Sequence, residues 1–223
     1  MAINEFETLK LFYNEYLYKV TIRNPISSIF RDKNLTYARE QLDKLQLDYE
    51  SNTELILNKN LRDTKISLEE FVGAKFLLTE LEKQTDFKLR IESPRLSIYS
   101  NDKKWLEYLM TKPLNFTEFY SPNKANISLL AKNNIIVKDK NFGYSYKITL
   151  KDKVDSNFYK WLSNNDDKVK IGDTCLESIK NGNYVRGFYF YIRDDKVLSL
   201  IHLMISGGIA RIDNLVYPAV KDK

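Results

Sequence analysis

The amino-acid sequence predicts an α+β fold made of two tandem βαββαβ-type repeats, the first with an additional helix. Three observations predict it: a strand-like segment that occurs twice, a second match that follows each copy in the same order, and the apolar periodicities between them. Tyr16-Leu17-Tyr18-Lys19-Val20-Thr21-Ile22-Arg23-Asn24 recurs as Tyr144-Ser145-Tyr146-Lys147-Ile148-Thr149-Leu150-Lys151-Asp152, and every position but the second is identical or chemically close. Ile98 to Leu106 then aligns with Phe190 to Leu198. After each, an apolar helical stretch leads to a closing strand, at 116–120 and 209–217. The two matches lie about 36 residues further apart in the first half, so one copy has gained or lost an element.

Each element has a local reason. Residues 15–23 alternate and are rich in Tyr, Val, Thr and Ile, which predicts a strand. Leu35, Ala38, Leu42, Leu45 and Tyr49 recur at helical spacing. Ser67 and Glu70 form a capping-box pattern, and Ile66 with Phe71 supplies a hydrophobic staple, so a helix is predicted over 67–83. Phe87 to Glu92 and Leu96 to Ser100 alternate around Ser93-Pro94 and predict a hairpin. Asp102 caps a short helix that carries Trp105, Leu106 and Leu109. The resulting order is the ferredoxin-like plan plus one helix. A turn-like cluster at Ser121-Pro122-Asn123 sets the boundary, giving a first repeat over 1–122 and a second over 123–223.

In the second repeat, residues 127–138 read either as a strand pair or as a short helix and a strand. Tyr144 to Lys151 is a strand, and Phe158, Trp161 and Leu162 mark a helix. Thr174 and Glu177 suggest a capping box for another helix. A strand over 186–193, an apolar helix over 195–205 and the strand over 209–217 follow. No hairpin partner is evident before Arg186.

Composition excludes several function classes. Hydrophobic residues make up 43% and charged residues 29% of the 223, enough for a folded core and too apolar for global disorder. No apolar run approaches the ~18 residues of a membrane span, so no membrane partner is expected. Met1 to Glu7 shows no basic n-region or long apolar run, so no signal peptide is read and a cytoplasmic location is expected, the host cytoplasm if the protein is viral. One cysteine, Cys175, excludes a disulfide framework, and one histidine, His202, argues against His-based metal sites and catalysis. The glycines fall in no phosphate-cradling spacing. No cofactor and no metal are expected. Usage rich in Lys, Asn, Ile and Tyr fits an AT-rich genome, such as that of many phages.

The net charge is +5, and residues 124–153 carry all of it: seven lysines, Lys138, Lys140, Lys147, Lys151 and Lys153 among them, face only Asp139 and Asp152. A stripe of this kind attracts phosphate backbones or an acidic partner, or serves as a solvated linker. Beyond it lies Arg186-Gly187-Phe188-Tyr189-Phe190-Tyr191-Ile192-Arg193. This octet partly resembles the RNP1 motif of RNA-recognition motifs. Arg186, Gly187, Phe188 and Phe190 match it, while Tyr189, Tyr191 and Arg193 depart from it. The companion RNP2 motif has no good counterpart in Ser145 to Leu150. On a strand, Phe188 and Phe190 share one face and Tyr189 and Tyr191 the other. One pair packs under helices; the other stacks bases if its face is open. Arg186 and Arg193 then contact phosphate.

Asp102 and Asp194 occupy equivalent places at helix starts, where a carboxylate caps N–H groups. His202 lies on the polar stripe of an apolar helix. Cys175 reads as a small, half-buried thiol. The sequence therefore predicts a non-enzymatic nucleic-acid-binding protein that prefers RNA or single strands. The alternative is a protein-interaction or structural module, phage-encoded and self-associating. An enzyme using Asp102 and Asp194 is the third reading.

Overall fold

Alternating apolar side chains build the centre of each sheet, and the helices that cross over them close one face. The computed structural model describes residues 3–59, 62–132 and 134–217. Chain contacts divide the molecule into Met1–Ile127 and Ser128–Lys223.

The first unit runs β1 (Asn4–Glu7), β2 (Tyr18–Arg23), a 3-10 stretch (Pro25–Lys33), α1 (Leu35–Glu50), β3 (Ile56–Lys59), β4 (Arg62–Lys65), α2 (Leu68–Glu82), β5 (Phe87–Glu92), β6 (Arg95–Ser100), α3 (Lys103–Met110) and β7 (Phe116–Ser121). Its five-stranded sheet has the order β1-β7-β2-β6-β5. The four strands after β1 are the ferredoxin-like set, each antiparallel to its neighbour. β1 adds a parallel edge to β7. Val20, Ile22, Leu96 and Ile98 lie buried against Ala38, Leu42, Leu45, Phe71, Leu81 and Leu106. Burying a side chain of this size contributes about 1.5–3 kcal/mol.

Local signals fix the helix starts. Ser67 accepts from the Glu70 amide at 3.2 Å, and the Glu70 carboxylate accepts from the Ser67 amide at 2.9 Å, so the capping box is complete. Asp102 accepts from the Trp105 amide at 2.9 Å. The extra length of this half is the 3-10 stretch, α1 and the β3–β4 hairpin, all inserted before α2. The predicted strand over 15–23 starts only at Tyr18, because Phe12 and Tyr16 pair with each other across a tight turn.

A single turn, α4 (Ile127–Leu130), falls at the division. The second unit continues with β8 (Ile135–Val137), β9 (Tyr146–Leu150), α5 (Ser156–Ser163), β10 (Val169–Ile171), α6 (Asp173–Lys180), β11 (Tyr189–Ile192), α7 (Asp195–Ile205) and β12 (Ile209–Val216). Its sheet order is β10-β11-β9-β12-β8. That is the first sheet over again, with β8 parallel to β12 as β1 is to β7. Residues 127–138 are thus a helical turn and a strand. The hairpin partner that the sequence hides is β10, separated from β11 by α6 rather than by a tight turn.

Ile148, Leu150, Phe190 and Ile192 are fully buried with Phe158, Leu162, Ile179 and Ile201. Asp194 accepts from the Val197 amide at 3.0 Å, repeating the Asp102 cap. The predicted Thr174 cap is not formed. Gly172, extended at the end of β10, takes the N-cap position without a side-chain bond, and the helix begins at Asp173. No described helix is long and apolar enough to cross a membrane.

Candidate nucleic-acid interface

With Ile148 and Leu150 of β9 turned to the helices, Lys147 and Thr149 face the other side of the sheet. In β11 the same alternation buries Phe190, at 0% exposure, and leaves Tyr189 45% exposed with Tyr191 half-buried. Of the two aromatic pairs, Phe188 and Phe190 are the one turned to the helices. Both pack on the helix-side core, Phe190 fully buried and Phe188 partly so. They are also the two aromatics that carry the resemblance to RNP1. The rings on the open face are the departures from that motif, Tyr189 and Tyr191.

Register brings the cations to these rings. Tyr191 lies opposite Lys147 on one side and Lys170 of β10 on the other. The Lys147 ammonium is 3.8 Å from the Tyr189 ring centroid, and Tyr189 meets Tyr191 edge-on at 5.6 Å. Contacts of this kind are cation–π in character. On the far side of Lys147 lies Asp213, buried and bridged to Arg211 at 3.0 Å. The Thr149 hydroxyl, beside Tyr189 and Arg211 in register, has no hydrogen-bond partner among the described residues.

The segment between β8 and β9 straps across part of this face. Phe142 stands edge-on to Tyr191 at 5.0 Å and contacts Tyr144 at 5.3 Å, and the Tyr217 hydroxyl donates to the Tyr144 carbonyl. Lys170 lies 5.5 Å from the Phe142 centroid and the Arg193 guanidinium 5.9 Å from that of Tyr144. Burial and the neighbouring Tyr189 push the Tyr191 hydroxyl above its ordinary pKa.

The other expected residues fall around this face. Lys138 and Lys140 lie in the strap, the second of them exposed. Exposed Lys151, Lys153 and Arg186 lie where β9 ends and β11 begins, and Lys153 sits 4.8 Å from the Tyr184 centroid. Arg193 leaves β11 at the opposite end. Sequence reasoning missed Lys170 and Phe142 as members. The repeated pattern Phe87-Lys88-Leu89 and Val169-Lys170-Ile171 was the signal for Lys170.

Elsewhere, Asp102 and Asp194 each commit a carboxylate oxygen to a helix amide. Among the described residues no three His, Cys, Asp or Glu side chains gather as a metal site. Cys175 is buried, and burial pushes its thiol up to about 11, which keeps it protonated and poorly nucleophilic.

The first sheet carries the same row. Tyr99 lies between Lys19 and Lys88 in register, as Tyr191 lies between Lys147 and Lys170. There the covering segment is 8–17, and its Tyr13 stands edge-on to Tyr99 at 5.0 Å, as Phe142 does to Tyr191. Lys88 is 4.1 Å from the Tyr13 centroid, in the role of Lys170. Comparison with protein families, with characterised proteins and with solved structures returns no match.

Proposed function

We propose that the protein binds single-stranded nucleic acid, without catalysis, on the helix-free face of its second sheet. The observation that supports this most is Tyr189, 45% exposed beside Tyr191, with the Lys147 ammonium 3.8 Å from its ring centroid. A solvent-facing ring with a cation beside it suits a base stacked on the ring and a phosphate at the cation. Lys140, Lys151, Lys153, Arg186 and Arg193 extend the positive charge at both ends of the strands, where a backbone tracking across the sheet would run. Single strands fit better than a duplex, since no described helix presents a dense Arg/Lys face to a groove.

The test is fluorescence anisotropy of labelled single-stranded RNA and DNA at two salt concentrations. Affinity should fall steeply with salt. Tyr189→Ala should weaken binding by about 1–3 kcal/mol, the worth of one stacked base. Lys147→Glu should weaken it as well and flatten the salt slope. Absence of binding at low salt overturns the proposal. A second reading, a protein partner or a second copy of the chain, is favoured by α7, where Leu200, Met204 and the 84%-exposed Leu203 face solvent. Self-association that salt does not weaken, without nucleic-acid binding, would select it.

A further inference from the structure

We infer that the first unit holds a second site for single-stranded nucleic acid, formed by Tyr13, Lys88, Arg90 and the basic cavity beside them. The inference rests on reading the second sheet as a nucleic-acid platform. Its ground is the duplicated register: a tyrosine between two lysines on the helix-free face, capped edge-on by an aromatic ring from the preceding segment.

The two faces differ in which ring meets solvent. In the second sheet it is Tyr189, a strand residue. The corresponding position of the first sheet is Ser97, which is buried beside Thr21. Tyr99 is itself only 4% exposed. The exposed ring here is Tyr13, at 45%, the same exposure as Tyr189. Its backbone is left-handed, with φ 55°, a region that a bulky side chain seldom occupies. The edge-on contact with Tyr99 and the Lys88 ammonium over the ring hold it there.

Lys88 and Arg90 connect this ring to a cavity along the β5 edge. Arg90 meets the Tyr13 hydroxyl and pairs with Glu92. The cavity has a volume of about 540 Å³ and is lined by Arg31, Lys33, Lys88 and Arg90 against Glu15 and Asp32. That volume lies within the roughly 300–1,000 Å³ of small-ligand sites, the class that includes a nucleotide. Glu92 offsets Arg90 and the Thr85 and Phe87 carbonyls hold Lys33, so Arg31 and Lys88 are the cations that suit its phosphate, and Tyr13 suits its base. Residues 1–127 carry 19 basic and 19 acidic side chains, so this unit gains nothing from net charge. The second site is therefore the weaker of the two.

Titration of the full chain with hexa-adenylate RNA at low salt tests this, by calorimetry for stoichiometry and by anisotropy for affinity. Two strands should bind per chain, with unequal affinities. Tyr13→Ala and Lys88→Glu should each weaken the weaker equivalent by about tenfold or more and leave the tighter one intact. Tyr189→Ala should do the reverse. Lys88 is exposed, so its variant keeps the fold even if Tyr13→Ala disturbs the turn. A single equivalent that responds to Tyr189→Ala and ignores both first-unit variants overturns the second site and leaves the first reading standing. Loss of both equivalents in Tyr189→Ala also overturns it. Absence of any binding overturns both.

Discussion

Tyr99 and Tyr191 hold one register position in two sheets and meet different surroundings. Tyr99 is sealed beneath Phe12 and Tyr13, and its burial, with Tyr13 beside it, pushes the hydroxyl up to about 12. Tyr191 is half-buried and moves in the same direction. A phenol or thiol raised by burial binds its proton more tightly folded than unfolded. Its contribution to stability is whole below the unfolded pKa and is lost as pH rises through the folded one. For Tyr99 that window runs from the ordinary 10.0 to about 12, and for Cys175 from 9.0 to about 11. Urea midpoints should hold steady below pH 9 and fall above it. Tyr99→Phe and Cys175→Ala should each flatten part of that fall. A midpoint unchanged across the window would show that neither group is desolvated as described.

Elements with long periodic patterns were legible in the sequence, and short edges were not. The α2 start was written in Ser67, Glu70, Ile66 and Phe71, and the cap forms as written. Ser67→Ala should cost about 0.5–2 kcal/mol in chemical denaturation, since it strips an acceptor from the first turn. The sheet centres were legible because β9 and β11 bury alternate residues, and because β2 and β6 alternate Val20, Ile22, Leu96 and Ile98 with Lys19, Thr21, Arg95 and Ser97. β1 was not, because Asn4 to Glu7 is exposed throughout and carries no pattern. β10 spans three residues, too few to register a period, and α6 stands between it and its partner. Its loss hid Lys170, and with it the Lys–Tyr–Lys row. Phe188 and Phe190 show a further limit. Alternation separates the two aromatic pairs, but which pair turns inward depends on where the helices pack, and that is tertiary.

Across the whole molecule, the two units repeat one architecture and differ in charge. Both sheets have five strands in one order and one helix-free face with the same row of side chains. Charge is not shared equally: residues 128–223 carry 16 basic and 11 acidic side chains, while residues 1–127 are balanced. On the proposed reading, steering of a polyanion falls to the second unit. Each unit also has its own buried cluster, and each cluster takes its members from one unit only. A cavity made in one core should then act chiefly on that unit. Ile148→Ala removes a fully buried branch between β11 and β12, at a cost of about 2–5 kcal/mol. Hydrogen exchange should report it as faster exchange of the β9, β11 and β12 amides, with β2 and β6 protection unchanged. Equal loss of protection in both sheets would mean that the units unfold as one.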